Sequence, residues 1–471
     1  ASASNKARRA GRAAGDAGRA RGVGHGDYWP HARGQVGAYS STHFVAPPNL
    51  SEALAWSWHH PDGRYHTVIV GAPLLDGDRN IYLATEDGIR KFSPDGQTLW
   101  YYQGPSDLVG CPSLMDGVLY GHSHDGHVFA LDMQTGKELW LVRHAQKIGG
   151  DTAYVETHDG VLVTGMEASP VEGNTKVIGV NTSDGSLLWE FKVVLPVWNI
   201  MAMFPGDDTA IFMDMTGGVY RVGLHNGTLF WHTPAPVSSF SDGGVILGPD
   251  GSAYTCSNVL GFGVEGEKGA LRKYRLSDGG RLWERRLEYP CNSWPAVTAD
   301  GRDVVVPMGG FLTGFLDTSN SGFGARGEAL RAWRKRMLQQ GEKQRAALGR
   351  SDVHGAIAAF DAETGAPRWR HELRQYGKLA VEGDEEGLLV RMDLGIRPMC
   401  LPAQFSAPTI DGTGAVLVGR ATGELISVTG GTQGTSERLF HTGAGALHPG
   451  TSFAPGMMAF ADCDTLHVFK Y

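Results

Sequence analysis

The chain has 471 residues, 67 of them Gly, with 20% charged side chains and a formal net charge of −8. That length can bury a large core, and no apolar run reaches the roughly 18 residues of a membrane-spanning helix. The five cysteines, Cys111, Cys256, Cys291, Cys400 and Cys463, include no CxxC or adjacent pair; their scatter and odd number define neither a disulfide framework nor a zinc site and leave the redox state of the compartment open.

Residues 1–22 carry six Lys/Arg, among them Arg8, Arg9 and Arg12, against Asp16 alone. This Ala- and Arg-rich start without Met reads as a transit peptide or its remnant, and it places the protein in a plastid, at a thylakoid assembly such as a photosystem, ahead of a mitochondrion. A bacterial periplasm is the alternative. Residues 23–49, rich in Gly, His and Pro, are expected to wrap in extended form over the surface of the repeat domain. The domain reading is therefore a basic arm and wrap over 1–49, then one repeat domain over 50–471 with insertions at 320–353 and 376–402.

The repeat is clearest at Val118 to Trp140, VLYGHSHDGHVFALDMQTGKELW. Three strand-like runs are separated by Asp125-Gly126 and Thr135-Gly136, dipeptides that supply the positive φ of hairpin turns. Copies end at Trp100, Trp140, Trp189, Trp231, Trp283 and Trp369, and a weaker copy has Phe440 in place of Trp. A period near 40 residues with about four strands per unit is the signature of a β-propeller, whose blades cannot bury their faces alone. The C-terminal DTLHVFKY (464–471) matches a middle strand that stops before its Trp, and LSEALAWSWHH (50–60) supplies a Trp strand with nothing before it, the Trp being read as Trp58. Joined, they complete an eighth blade and close the ring.

The Ala-x-Asp-x-x-Thr-Gly-x-x-x-Trp pattern, with Tyr28-Trp29-Pro30 and Arg33-Gly34 ahead of it, resembles the tryptophan-docking motif of the PQQ-like repeat proteins. The resemblance covers about 28–471 and implies an all-β, eight-bladed propeller of four-stranded antiparallel blades. That family includes quinoprotein alcohol dehydrogenases and the non-enzymatic scaffold subunit of the bacterial outer-membrane β-barrel assembly machine. The enzymes imply quinone, calcium and a ring of adjacent cysteines, and no adjacent cysteines exist here.

Other chemistry is sparse. His122 and His124 alternate onto one strand face with His127 after the turn, a pattern that can bind Zn²⁺ or Cu²⁺, yet these are variable turn positions of the repeat. Asp132 and Asp361 belong to the motif and are read as turn caps. His59-His60-Pro61-Asp62 has acid–base residue types without a spacing signature, and there is no GxSxG or HExxH. In the first insertion RGEALRAWRKRMLQQGEKQRAAL (326–348) is the one convincing helix, with Leu330, Trp333 and Met337 on one face and Arg334 among its basic residues. The second holds an acidic run, Glu382 to Glu386, and is read as a rim loop.

Together these residues predict a propeller without catalytic residues, cofactor or metal, serving as an interaction subunit of a larger, membrane-associated complex. Docking Trp residues 58, 100, 140, 189, 231, 283 and 369 hold it rigid, and Arg8, Arg9, Arg12, Leu330, Trp333, Arg334 and Met337 contact partner subunits. Nucleic acid is not an expected partner, because outside its two basic segments the body is acidic and repels phosphate. The alternative is a quinone- and calcium-binding dehydrogenase.

Overall fold

The computed structural model describes residues 26–149, 154–170, 173–236, 239–261, 263, 265–310, 336, 339, 340, 343, 352–378, 380–394, 404–444 and 450–471. Eight antiparallel sheets follow one another around a ring, and seven have four strands. In the fourth blade the innermost strand shrinks to a single bridge, Met203 with Ile211. Within each blade the two middle strands are largely buried on both faces, because each is covered by a neighbouring blade. Ile81–Thr85 and Gly88–Phe92 are buried throughout, whereas the outermost strand, Thr98–Tyr102, is largely exposed.

Ring closure joins the chain ends. Leu54–Trp58 pairs antiparallel with Leu466–Lys470, which continues through Met457–Ala461 to Ser452–Ala454. Removing either end would leave the eighth blade without its full set of strands.

The docking tryptophans link neighbouring blades. The indole N–H of Trp100 donates to Met133 O at 3.1 Å, that of Trp140 to Thr182 O, Trp189 to Leu224 O, Trp231 to Leu276 O and Trp283 to Ala362 O. Each indole lies over the turn glycine of the next blade. Gly136 has φ +69°, and a Cβ there would fall 2.7 Å from the Trp100 ring, so both conformation and contact require glycine. Trp369 covers Gly430, which lies within strand Glu424–Gly431, so there the contact alone requires glycine, and Phe440 packs on Phe469 of the closing blade.

In the closing blade the docking residue is Trp56 rather than Trp58. Trp56 donates to Pro94 O at 2.9 Å and covers Gly96. The reason is register. A bulge between Leu54 and Trp56 places Trp56 opposite Val468, just as the bulged Trp140 faces Ala130. Trp58 lies two residues farther on, tilted against Phe92 with the Arg90 guanidinium 5.1 Å from its ring.

A second difference concerns the N-terminal wrap, which enters the central channel. Trp29 exchanges backbone hydrogen bonds with Leu75, and Pro30 O accepts from Leu114 N. His31 meets Glu156 at 2.8 Å, Tyr39 Oη accepts from Phe204 N, and Ser40 Oγ accepts from Val297 N. Arg33 donates to Pro408 O, and Trp29 packs near Phe453. These partners belong to seven of the eight blades. The hairpin Gly34–Gln35 with Ala38–Tyr39 thus plugs the ring, and a groove of about 380 Å³ remains beside it near Leu247, Pro249 and Phe204 of blades four and five.

Candidate interaction face

A propeller has two faces, one formed by the turns between first and second and between third and fourth strands, the other by the remaining turns and the blade-to-blade connections. The plug closes the first, because its contacts fall at the ends of innermost strands such as Leu75 and Ile410. The elaboration falls on the second. The insertion between Gly310 and Asp352 leaves and returns there, between strands Asp303–Gly309 and Gly355–Asp361. So does the one between the sixth and seventh blades. Connections between packed strands vary freely in length, so this is where binding surface is built.

The second insertion contains a helix, Glu385–Leu394, in place of the expected rim loop. Its apolar contacts are Leu388 and Leu389, both buried, and its main anchor is ionic. Arg391, 1% exposed, pairs with Asp384 and with Asp464 at 3.2 Å, and Asp464 accepts from Arg64 Nε at 2.8 Å. Tyr65 lies between the two guanidiniums, each 5.6 Å from its ring. Burial, only partly offset by Arg391, raises the Asp384 carboxyl to about 7. A buried cation between carboxylates fixes position more than it adds stability, and here it seats the helix on the closing blade. Glu385 and Glu386 face solvent.

Of the first insertion, Arg336, Gln339, Gln340 and Lys343 are helical and exposed. Leu330, Trp333, Arg334 and Met337 lie outside the described residues, as do Arg8, Arg9 and Arg12.

Cys256 and Cys291 are bonded, tying a strand of the fifth blade to the connection into the sixth, and Cys463 is disulfide-bonded as well. Scatter along the chain does not reveal this, because the pair meets only when the fifth blade folds. Cys111 is a buried free thiol.

The expected turn caps take that role. Asp132 Oδ1 accepts from Thr135 N and Oγ1, and Asp361 Oδ1 does the same with Thr364. His122 is 2% exposed and burial lowers its imidazole to about 3, while His127 pairs with Asp125 at 2.9 Å. Among the described residues, the clusters able to hold a metal are His60 with Asp62 and His66, and Asp159 with Asp208 and His225, so the HSHDGH turn is not among them.

A family model described as outer membrane protein assembly factor BamB matches residues 64–141 and 124–305, together just over half of the chain. The chain belongs to this PQQ-like β-propeller repeat family. An outer membrane protein assembly factor BamB of Nitrosomonas eutropha is 26% identical over 164 residues, 34% of this chain and 37% of the relative. A tetrathionate hydrolase of Acidithiobacillus ferrooxidans is 24% identical over 388 residues, 76% of this chain and 64% of the relative. Each match spans less than two thirds of the curated relative's length. A europium-containing methanol dehydrogenase has the same fold, with a TM-score of 0.60 at 12% identity over 95% of this chain and 98% of that one.

The described axis does not fit a quinone. Tyr154 of the third blade and Trp294 of the sixth, fully buried, meet edge to face at 6.0 Å, a contact between non-adjacent blades that must cross the channel. Arg33 of the plug is also fully buried and lies near Tyr154. Both candidate metal clusters lie off the axis, in turns and connections.

Proposed function

We propose that this chain is a non-catalytic interaction subunit of a bacterial envelope assembly, and that the face bearing the two insertions docks its protein partners. The asymmetry of the two faces supports this most directly: one is sealed by the chain's own N-terminal segment, the other holds both long insertions and the exposed acidic start of helix Glu385–Leu394. Docking tryptophans and ring closure make the disc stiff, which suits a platform. The disulfides favour an oxidising compartment, and the relatives named as assembly factors come from bacteria. The plastid expectation has no support among them, and a periplasmic location at a membrane-associated complex is the reading that remains.

The competing reading, a quinone- and calcium-dependent oxidoreductase, rests on likeness of fold, and a fold hosts many chemistries. Native mass spectrometry of protein purified gently from its source separates the two. Stoichiometric protein companions with no small-molecule adduct are expected. Quinone and calcium on an otherwise solitary chain would contradict the proposal.

A further inference from the structure

The connection leaving the closing blade's outer strand, His60-Pro61-Asp62-Gly63-Arg64-Tyr65-His66, folds through two tight turns, with Gly63 N donating to His60 O and His66 N donating to Gly63 O. These turns bring one ligand atom each from His60, Asp62 and His66 within 4.8 Å of one another, and the two imidazoles lie face to face with centroids 4.6 Å apart. We propose that His60, Asp62 and His66 form a binding site for a divalent transition-metal ion of the Zn²⁺ type, beside the seat of helix Glu385–Leu394.

Two nitrogens and a carboxylate oxygen, with a fourth position for water, are a donor set that suits Zn²⁺. His60 is the fixed member. It is 6% exposed, and its Nε2 lies 3.4 Å from Asp87 Oδ2. Asp87 is itself held by Arg90. A carboxylate on the far nitrogen of a ligand histidine sets the tautomer and the ring orientation, leaving Nδ1 toward Asp62, whose Oδ2 is 4.0 Å away. The metal takes the Nδ1 lone pair in exchange for the 3.2 Å contact from Asp62 N. Asp62 and His66 are exposed and can turn inward, His66 swinging out of its stack to aim a nitrogen at the ion.

The nearby cations are engaged elsewhere, Arg90 with Asp87 and Arg64 with Asp464. Tyr65, between the ligands, packs against Gly387 and beneath Arg391. An ion closing the 60–66 turn therefore stiffens the surface on which the inserted helix rests.

The test is titration of the tag-free, metal-stripped full chain with Co²⁺, read by the visible absorption of tetrahedral cobalt, followed by displacement with Zn²⁺. One ion per chain is expected, with Zn²⁺ raising the melting temperature. His66→Ala and Asp62→Asn should each weaken binding by more than about tenfold, since even an outer-shell partner contributes that much. Both residues are solvent-facing, so the metal-free melting temperature of each variant should match the parent's. His225→Ala, in the other cluster, should bind as the parent does. Absence of a saturable signal, binding unchanged in His66→Ala and Asp62→Asn, or binding lost in His225→Ala would each overturn the site.

Discussion

At the scale of single residues, the ring is held by contacts that recur once per blade. Trp56 and Trp58 differ in kind although they stand two apart on one strand: the first donates across the blade interface, the second packs within a cation–aromatic cluster. Trp56→Phe should therefore cost about 1 kcal/mol, the net value of a hydrogen bond whose acceptor is left behind. Trp58→Phe should cost distinctly less, and chemical denaturation of the two variants side by side decides it. Asp27 offers a pH test. Burial, with Asp76 nearby, raises its carboxyl to about 6 from the ordinary 3.8. Its folded pKa is above its unfolded one, so its contribution to stability is full below about pH 4 and is lost as pH rises through 6. Asp27→Asn should stabilise the protein at pH 7 and flatten the melting temperature between pH 4 and 6; a variant that loses stability at pH 7 would show that the charge is needed.

At the scale of elements, much of the architecture is legible in the sequence and some is not, for physical reasons. The strands and turns stand out because most copies need a turn glycine beneath an indole, as at Gly136 under Trp100, and this constraint writes itself into sequence spacing. The plug has no such constraint. Its residues are positioned one by one by seven different blades, so Gly, His and Pro show no period and suggest only a surface wrap. Trp58 in place of Trp56 is a register error of two, invisible to an alternating strand pattern and decided by the bulge after Leu54. The helix Glu385–Leu394 is hidden by Gly387, which lowers helix propensity. Its glycine is required because a Cβ there would lie 2.1 Å from Asp384 Oδ1 and 2.6 Å from the Tyr65 ring. Gly387→Ala should lift the helix from its seat, raising amide hydrogen exchange across it at least about tenfold while the blades stay protected. The cluster at His60, Asp62 and His66 leaves no spacing signature, because His66 returns to the other two only through the second turn of the loop.

At the scale of the whole molecule, the ring closes by pairing its two ends, so stability is shared around the disc. Deleting 466–471 removes a middle strand of the eighth blade and exposes Trp56, Phe440 and Phe460; cooperative melting should be lost or fall by more than about 10 °C, since defects of several kcal/mol are involved. Reducing the Cys256–Cys291 link, which closes a loop of 35 residues, should destabilise by about 4 kcal/mol without opening the ring. The two faces have different fates, and their difference bears the functional reading. The measurement that tests it most directly is photo-crosslinking in the native cell from single probes at Gln340 and Glu386 on the inserted face and at Asp300 and Thr413 on the plugged one, all exposed. The same partner chains captured from the first pair and not from the second are expected. Capture from Asp300 and Thr413 alone, or from no position, would contradict a platform that docks its partners through the insertions.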